Sequence, residues 1–138
     1  MKTPKKKPLP KAFHSAAERA AEHFAHEVLD CVKTRRATRS QFQSIDFFSC
    51  DVMGCRKDGS KVYLQVTCGG KEALRARRKK IEAEVWHSSE GVYLLELDRS
   101  VYKPYAYFFR IWRYFEKKWF ADYELKEVPK QWFRKKIK

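Results

Sequence analysis

Long apolar runs are missing from this sequence. No segment approaches the roughly 20 consecutive apolar residues that a membrane-spanning helix needs, and the opening residues, MKTPKKKPLPK, have no apolar stretch after their lysines. We therefore expect neither a membrane span nor a secretory signal peptide. Paired CxxC motifs are also absent, although the chain holds four cysteines. Cys50, Cys55 and Cys68 could converge on neighbouring strands, but this spacing favours buried, reduced thiols over a zinc knuckle. The expected location is the cytoplasm, or the host cytoplasm for a viral protein.

Acidic residues are the second shortage. The chain has 17 Asp and Glu against 31 Lys and Arg, which gives a formal net charge of +14. A folded domain with such a surplus repels itself unless a polyanion neutralises it, so nucleic acid is the default partner. The basic side chains that we expect to contact backbone phosphates are Arg35, Arg36, Arg39, Arg75, Arg77, Arg78, Lys79 and Lys80. An ordinary solvated face is the alternative. No recognition-helix pattern accompanies them, which predicts binding by shape rather than by base sequence.

Apolar side chains are plentiful despite this charge. Hydrophobic residues make up 43% of the 138 residues and aromatic residues 15%, which excludes a disordered chain. A chain of this length forms one domain that buries roughly two thirds of its unfolded surface without disulfides or metals. The Lys- and Pro-rich residues 1–12 predict a flexible basic arm, and residues 13–138 a single domain.

The first half of the chain predicts one helix followed by three strands. Apolar residues at three- and four-residue steps indicate a helix over about 13–29, with Ser15 as its N-cap and Glu18 completing a capping box. A basic stretch that begins with β-branched residues predicts a strand over 31–36. The sequence IDFFSCDVMGC, then RKDGSK, then VYLQVTC predicts a β-hairpin with the Asp-Gly pair at its tip.

The second half predicts one more helix and two more strands. A helix over 71–86 would present Leu74, Ile81 and Val85 as a narrow apolar stripe. The run GVYLLEL predicts a strand buried on both faces. PYAYFFRIWRYF predicts an aromatic strand whose second face packs under the C-terminal tail or pairs with another copy. Because the helix connects two strands, we predict an α/β fold: a central mixed sheet of about five strands flanked by helices.

Polar side chains interrupt the apolar strand VYLQVTC. Because side chains alternate along a strand, Gln65 and Thr67 share one face and the flanking apolar residues share the other. Asp51 lies at one end of the neighbouring antiparallel strand, so a carboxylate and an amide oxygen can converge there. Glu18 from the first helix would add a second carboxylate. Oxygen ligands of this kind suit Mg²⁺ or Mn²⁺ and, on a basic protein, imply metal-assisted chemistry on phosphates.

Several alternatives stay open at these positions. Asp51 could be an acid that caps a turn, and Gln65 could make an internal hydrogen bond, since an unpaired buried amide costs roughly 1 to 3 kcal/mol. Glu18 could serve only in the capping box. Glu22 competes with Glu18 for the inward direction, and Asp46 competes with Asp51 as the first acid.

The pattern of Glu18, Asp51 and the sequence QVT at 65–67 resembles the PD-(D/E)XK nuclease superfamily. The closest likeness is to the small archaeal-type Holliday-junction resolvases and related phage endonucleases, and it covers about residues 15–97. The resemblance implies a restriction-endonuclease-like fold and a homodimer, because two symmetric cuts need two sites.

The resemblance also implies a role for each residue. Asp51, Gln65 and the carbonyl of Val66 would hold Mg²⁺ or Mn²⁺, with Glu18 completing the shell, and Thr67 occupies the position of the motif lysine. Two departures follow: an amide replaces an acid at Gln65, and the hydroxyl of Thr67 cannot supply the lysine's positive charge.

Catalysis would then depend on Lys71 or Arg75 in the next helix, or on the metal alone. The function implied is a metal-dependent, structure-selective endonuclease that hydrolyses phosphodiester bonds in branched DNA. A catalytically inactive nuclease fold that binds nucleic acid is the alternative, and a basic RNA- or ribosome-associated protein is a third hypothesis.

Overall fold

The architecture is a mixed β-sheet with helices packed against its faces. The computed structural model describes residues 11–39, 44–45, 50–68, 70–99 and 106–135. Its helices are α1 (Lys11–Glu27), α2 (Lys71–Glu82) and α3 (Gln131–Arg134). Its strands are β1 (Cys31–Arg36), β2 (Thr38–Arg39), β3 (Ser44–Ile45), β4 (Val52–Arg56), β5 (Lys61–Thr67), β6 (Gly91–Arg99), β7 (Tyr107–Phe115) and β8 (Lys118–Leu125).

The sheet confirms the predicted α/β class and its crossover. Six strands lie in the order β1-β4-β5-β6-β7-β8, and β2 and β3 form a separate two-stranded sheet. Strands β5 and β6 are parallel, joined by α2, whereas every other pair in the large sheet is antiparallel. The prediction of about five strands was too low. It missed β8, because Ala121, Asp122 and Glu124 interrupt the apolar alternation by which a strand is recognised.

One face of the sheet is covered by α1. Four buried alanines of α1, Ala25 among them, let the helix approach the strands closely, and Phe24 fills the space beside Phe109, with ring centroids 6.3 Å apart. The buried side chains of this layer include Ala17, Ala20, Ala21, Phe24, Val62, Leu64, Val66, Leu95, Leu97, Phe109 and Ile111. The apolar side of β5 therefore faces α1, and its polar side faces the opposite layer.

The opposite face is covered by α2 and a smaller apolar cluster of Cys50, Tyr63, Ile81, Val92 and Leu94. The predicted helix over 71–86 was too long, because α2 ends at Glu82. Val85, predicted in its apolar stripe, is 94% exposed. The chain turns instead so that the indole of Trp86 donates a 2.9 Å hydrogen bond to the carbonyl of Ile81. The same carbonyl also accepts a 3.1 Å hydrogen bond from the amide of Glu84, so two donors meet the end of the helix there.

The N-terminal helix begins earlier than predicted. Since α1 starts at Lys11, Ser15 lies inside the helix and is not its N-cap, so the capping box with Glu18 was wrong. Lys11 and Ala12, predicted in the arm, are the first residues of α1, and the rest of the arm lies outside the described residues. The C-terminal segment packs on α1, where Arg19 donates a 2.8 Å hydrogen bond to the carbonyl of Phe133.

The hairpin between β4 and β5 has the predicted tip. Gly59 adopts a positive φ of 89°, which favours glycine. Asp58 accepts hydrogen bonds from both the amide and the hydroxyl of Ser60. This hairpin fixes the register in which Val52 lies opposite Leu64, and so fixes where Asp51 lies along β5. Among the described residues, no helix is long and apolar enough to cross a membrane.

Candidate functional site

Two polar side chains are buried at the C-terminal end of β5. Gln65 is 0% exposed and Thr67 is 1% exposed, and both lie on the face of the sheet that α2 covers. The Oγ1 atom of Thr67 makes no hydrogen bond to any described residue. A buried hydroxyl without a partner is costly, so it marks this end of β5 as a place where another polar group fits.

Asp51 is held beside this end of β5 by its main chain and its carboxylate. Its amide donates a 2.9 Å hydrogen bond to the carbonyl of Leu64, and its own carbonyl accepts one of 2.7 Å from Ala37. Its Oδ2 accepts a 2.9 Å hydrogen bond from the amide of Val66. Asp51 is therefore a buried, oriented carboxylate, as its position just before β4 predicts.

The carbonyl of Val66 points toward the same side. Along a strand, residues two apart direct their amide and carbonyl groups in the same direction. Leu64 accepts from Asp51 and Val66 donates to Asp51, so both residues direct their main-chain groups toward Asp51. The structure thus brings the Asp51 carboxylate and the main chain of Val66 together. Gln65, the residue before Val66, lies on the face of the sheet that α2 covers.

Glu18 joins this group through its electrostatic effect on Cys68. Burial raises the pKa of the Cys68 thiol from 9.0 to about 11, the nearby Arg77 opposes that rise, and the carboxylates of Asp51 and Glu18 add to it. Carboxylates raise a thiol's pKa because they disfavour a second negative charge close to them. Glu18 and Asp51 therefore both lie near this thiol, which follows β5 and packs against the layer of α1.

Glu22, the competitor of Glu18, is engaged elsewhere. Its carboxylate accepts a 2.8 Å hydrogen bond from the hydroxyl of Thr34 and forms an ion pair of 3.1 Å with Arg36. These contacts tie α1 to β1. Asp46, the competitor of Asp51, lies outside the described residues.

The two side chains proposed to replace the motif lysine both lie on α2. Lys71 is the first residue of this helix and Arg75 follows one turn later, and both are exposed. Since α2 begins directly after β5, these cations flank the end of the strand on the solvent side. Neither donates a hydrogen bond to the hydroxyl of Thr67, which has no partner among the described residues.

The predicted phosphate-binding cations differ in exposure and in the partners that they contact. Arg35, Arg75, Lys79 and Lys80 are exposed. Arg36 is bound to Glu22 and to the main chain and hydroxyl of Ser15, at 3.2 and 3.3 Å. Arg78 lies over the rings of Trp112 and Trp119, at 4.4 and 5.2 Å from their centroids. Arg77 is half-buried near Cys68, and the side chain of Arg39 lies outside the described part of the structure.

Sequence reasoning missed a partly buried ion pair on the strands next to Thr67. Glu96 of β6 is buried and lies opposite Thr67 in the parallel register, and its Oε1 accepts a 2.9 Å hydrogen bond from Nη1 of Arg110. Arg110 of β7 lies opposite Glu96, and Glu124 of β8 lies opposite Arg110. We call Thr67, Glu96, Arg110 and Glu124 the polar row. The signal was present as the single acid in GVYLLEL and the single base in YFFRIW.

Within the described ranges, no group of three or more His, Cys, Asp or Glu side chains is placed to hold a metal ion. A metal here would need the amide oxygen of Gln65 or the carbonyl of Val66 in addition to the acids. The class that the structure defines is an α/β protein with a mixed sheet and buried polar groups at one end of its parallel strand pair. Comparisons with protein-family models, curated proteins and solved structures found no match for this chain.

Proposed function

We propose that this protein is a metal-dependent, structure-selective DNA endonuclease similar to the Holliday-junction resolvases. The observation that carries the proposal is the hydrogen bond that holds the Asp51 carboxylate against the Val66 amide at the end of β5, where Gln65 and Thr67 are also buried and Glu18 lies near Cys68. The arrangement of a helix, an antiparallel hairpin and a parallel crossover around these residues supports a restriction-endonuclease-like fold.

The donor set fits a hard divalent cation. A carboxylate, a main-chain carbonyl and an amide oxygen are the ligand types that Mg²⁺ and Mn²⁺ prefer. The hydroxyl of Thr67, which has no partner among the described residues, lies two residues after Gln65 on the same face of β5. In this proposal Asp51, Gln65 and the carbonyl of Val66 hold the metal, with Glu18 completing the shell. A bound divalent ion lowers the pKa of a coordinated water and neutralises charge on a phosphate.

The remaining roles belong to side chains of this chain. The hydrogen bond from the Val66 amide fixes the Asp51 carboxylate in one orientation, which reduces the reorganisation needed at the site. Lys71 and Arg75, exposed at the start of α2, attract and position the DNA backbone. The expected substrate is branched DNA, bound by a homodimer whose two sites cut symmetrically.

The decisive experiment measures cleavage of labelled four-way-junction, flap and linear DNA in Mg²⁺ and in Mn²⁺. We expect the wild type to cut branched DNA, and Asp51→Asn to abolish cutting while DNA binding persists. A matched control is Asp58→Asn, which changes an exposed turn carboxylate on the same hairpin. Equal cutting by the wild type and Asp51→Asn would refute the proposed site.

A nucleic-acid-binding protein without nuclease activity is the second candidate, and one observation favours it. Asp51 already has an internal partner in the Val66 amide, as an acid with a structural role would. In that case the wild type binds DNA tightly and cuts none of the substrates in either metal. Gln65→Glu separates the two: restoring an acid should increase metal-dependent cutting in a nuclease and have no such effect in a purely binding protein.

A further inference from the structure

Placing the charged Glu96–Arg110 pair in an apolar strand costs free energy, because Glu96 is buried. Glu96 interrupts the buried run Leu94, Leu95 and Leu97 of β6, and its side chain is nearly inaccessible to solvent. An ion pair with one buried member seldom stabilises a fold more than apolar side chains of the same volume would, because the buried carboxylate of Glu96 loses its hydration. Such a pair in an apolar strand consequently points to a role other than stability.

The position of the pair links it to the candidate site. Glu96 lies opposite Thr67 on the adjacent strand and on the same face of the sheet, so the two residues are cross-strand neighbours, although no hydrogen bond joins their side chains. Neighbouring strands lie about 4.8 Å apart. The main chain of Arg110 is therefore about 10 Å from that of Thr67, and the hydrogen bond to Glu96 draws the guanidinium back toward β6.

Arg110 also has the accessibility that a ligand contact requires. Its side chain is 39% exposed, in contrast to the nearly buried Glu96, and its guanidinium carbon lies 5.4 Å from the ring centroid of Phe108. One edge of the guanidinium is held by Glu96, which leaves a planar, charged group oriented at the surface of the sheet. An oriented guanidinium is well suited to bind a phosphate group through two parallel hydrogen bonds.

We propose that Arg110, positioned by Glu96, contacts a phosphate of the bound nucleic acid and supplies the positive charge that Thr67 does not. This inference rests on the proposed function for the choice of ligand, and it deepens that function by assigning the missing cation to β7. In it Arg110 touches the phosphate, and Glu96 is a positioning residue that acts through Arg110.

Arg113 provides a closely matched control on the same strand. It forms a 2.8 Å ion pair with Asp122 of β8, its side chain is 35% exposed, and its guanidinium carbon lies 4.9 Å from the ring centroid of Phe120. Alternation along β7 places Arg113 on the other face of the sheet from Arg110. Arg113→Gln therefore removes the same charge and the same kind of pair away from the polar row.

The test is the salt dependence of binding to a labelled four-way junction and a linear duplex in EDTA, followed by fluorescence anisotropy. One lost phosphate contact lowers the slope of log K against log salt by about 0.9. We expect Arg110→Gln to show that loss with weaker binding, and Arg113→Gln to keep the wild-type slope. Equal slopes for the two variants would overturn the proposal.

Glu96→Gln gives a second test, in which the direction of the change in DNA affinity distinguishes positioning of Arg110 from general electrostatics. Removing an acid makes the protein more positive, so general electrostatics predicts tighter DNA binding. If Glu96 positions Arg110, binding should weaken instead, and tighter binding would contradict the proposal. Arg110→Lys keeps the charge but loses the planar fork, and we expect a wild-type slope with several-fold lower affinity. Arg110→Lys also tests the proposal if Arg110→Gln does not fold. A DNA affinity of Arg110→Lys equal to that of the wild type would contradict the proposal.

Cleavage assays on the same proteins separate this inference from the nuclease proposal. A wild type that binds without cutting, together with a reduced slope in Arg110→Gln, would refute the nuclease and support the Arg110 contact. A wild type that cuts, together with matching slopes in Arg110→Gln and Arg113→Gln, would support the nuclease and refute the contact.

Discussion

At the scale of single residues, the end of β5 combines groups that an ordinary core avoids. Gln65 and Thr67 are as buried as the leucines around them, and Asp51 is fixed by a main-chain amide. Such local conflicts between burial and polarity are expected where a fold is adapted to a function rather than to stability alone. Two consequences can be measured on the folded protein without any substrate.

Replacing Thr67 with valine should stabilise the protein. The change keeps the shape of the side chain and removes a buried hydroxyl that has no partner among the described residues, so the free energy of unfolding should rise by about 1 kcal/mol. Thr34→Val is the control, because the Thr34 hydroxyl donates to Glu22 and lies 3.1 Å from His26. That change should lower the free energy of unfolding by about 1 kcal/mol. Denaturant titration would check both, and a loss of stability in Thr67→Val would show that its hydroxyl is satisfied.

Cys68 should make the protein less stable at alkaline pH. Burial raises the pKa of its thiol from 9.0 in the unfolded chain to about 11 in the folded protein. The unfolded state therefore loses its proton first, and the stability that is fully present below pH 9 is lost as the pH rises toward 11. The difference in unfolding free energy between the wild type and Cys68→Ser, measured from pH 8 to pH 11, should fall through this window. A difference that is constant with pH would contradict the expectation.

At the scale of elements, α2 carries two kinds of cation. Arg78 turns inward and stacks on Trp112 and Trp119, so it fastens the helix to β7 and β8. Arg75 and Lys79 turn outward, where a phosphate can reach them. A helix rich in arginine can therefore be attached to its sheet by one arginine and still present others to a ligand.

This division predicts opposite effects for two neighbouring substitutions. Arg78→Ala should lower the free energy of unfolding by about 1 to 2 kcal/mol, because it removes the cation–π contacts and the packing of the side-chain stem. Arg75→Ala should leave stability nearly unchanged and weaken nucleic-acid binding with a smaller salt slope. Denaturant titration and anisotropy on both variants would test the assignment, and a binding defect without destabilisation in Arg78→Ala would reverse it.

The elements could be predicted wherever the apolar pattern was regular. Strand β1, the β4–β5 hairpin and the α2 crossover follow from alternation and turn residues, and the structure places all three as expected. The end of α2 could not be predicted, because only tertiary contact shows that Trp86 folds back onto Ile81 and leaves Val85 in solvent. Asp51 and Gln65 were recognisable as candidates from their neighbours in sequence. The Glu96–Arg110 pair required the register of β6 against β7, which one sequence does not specify.

At the scale of the whole molecule, the net charge of +14 is the dominant property. Some of the positive charge is neutralised by internal pairs such as Arg36–Glu22, Arg110–Glu96 and Arg113–Asp122. The surplus of +14, which already counts those acids, repels itself, and added salt screens that repulsion over a Debye length of about 10 Å at 0.1 M.

The unfolding temperature should therefore rise with salt. Raising NaCl from about 20 to about 300 mM should increase it by several degrees, because screening relieves self-repulsion more than it weakens exposed ion pairs, each of which contributes little. Duplex DNA should produce a larger increase at low salt, and little at high salt, since binding itself depends on salt. Thermal melts followed by circular dichroism would measure both effects. A temperature that falls as salt is added would show that attractive pairs outweigh the repulsion.

The parallel contact between β5 and β6 has a consequence for how the protein folds. It joins two antiparallel meanders, β1-β4-β5 and β6-β7-β8, whose strands pair with near neighbours along the chain. Local pairings close short loops and form quickly, whereas the parallel contact must wait for the longer β5–α2–β6 loop to close. Thr67 of β5 and Glu96 of β6 lie opposite each other across this parallel contact. The polar row would then be assembled late, and an intermediate with both meanders formed but undocked would have native-like strands and Asp51 beside Val66, but no Thr67–Glu96 pairing.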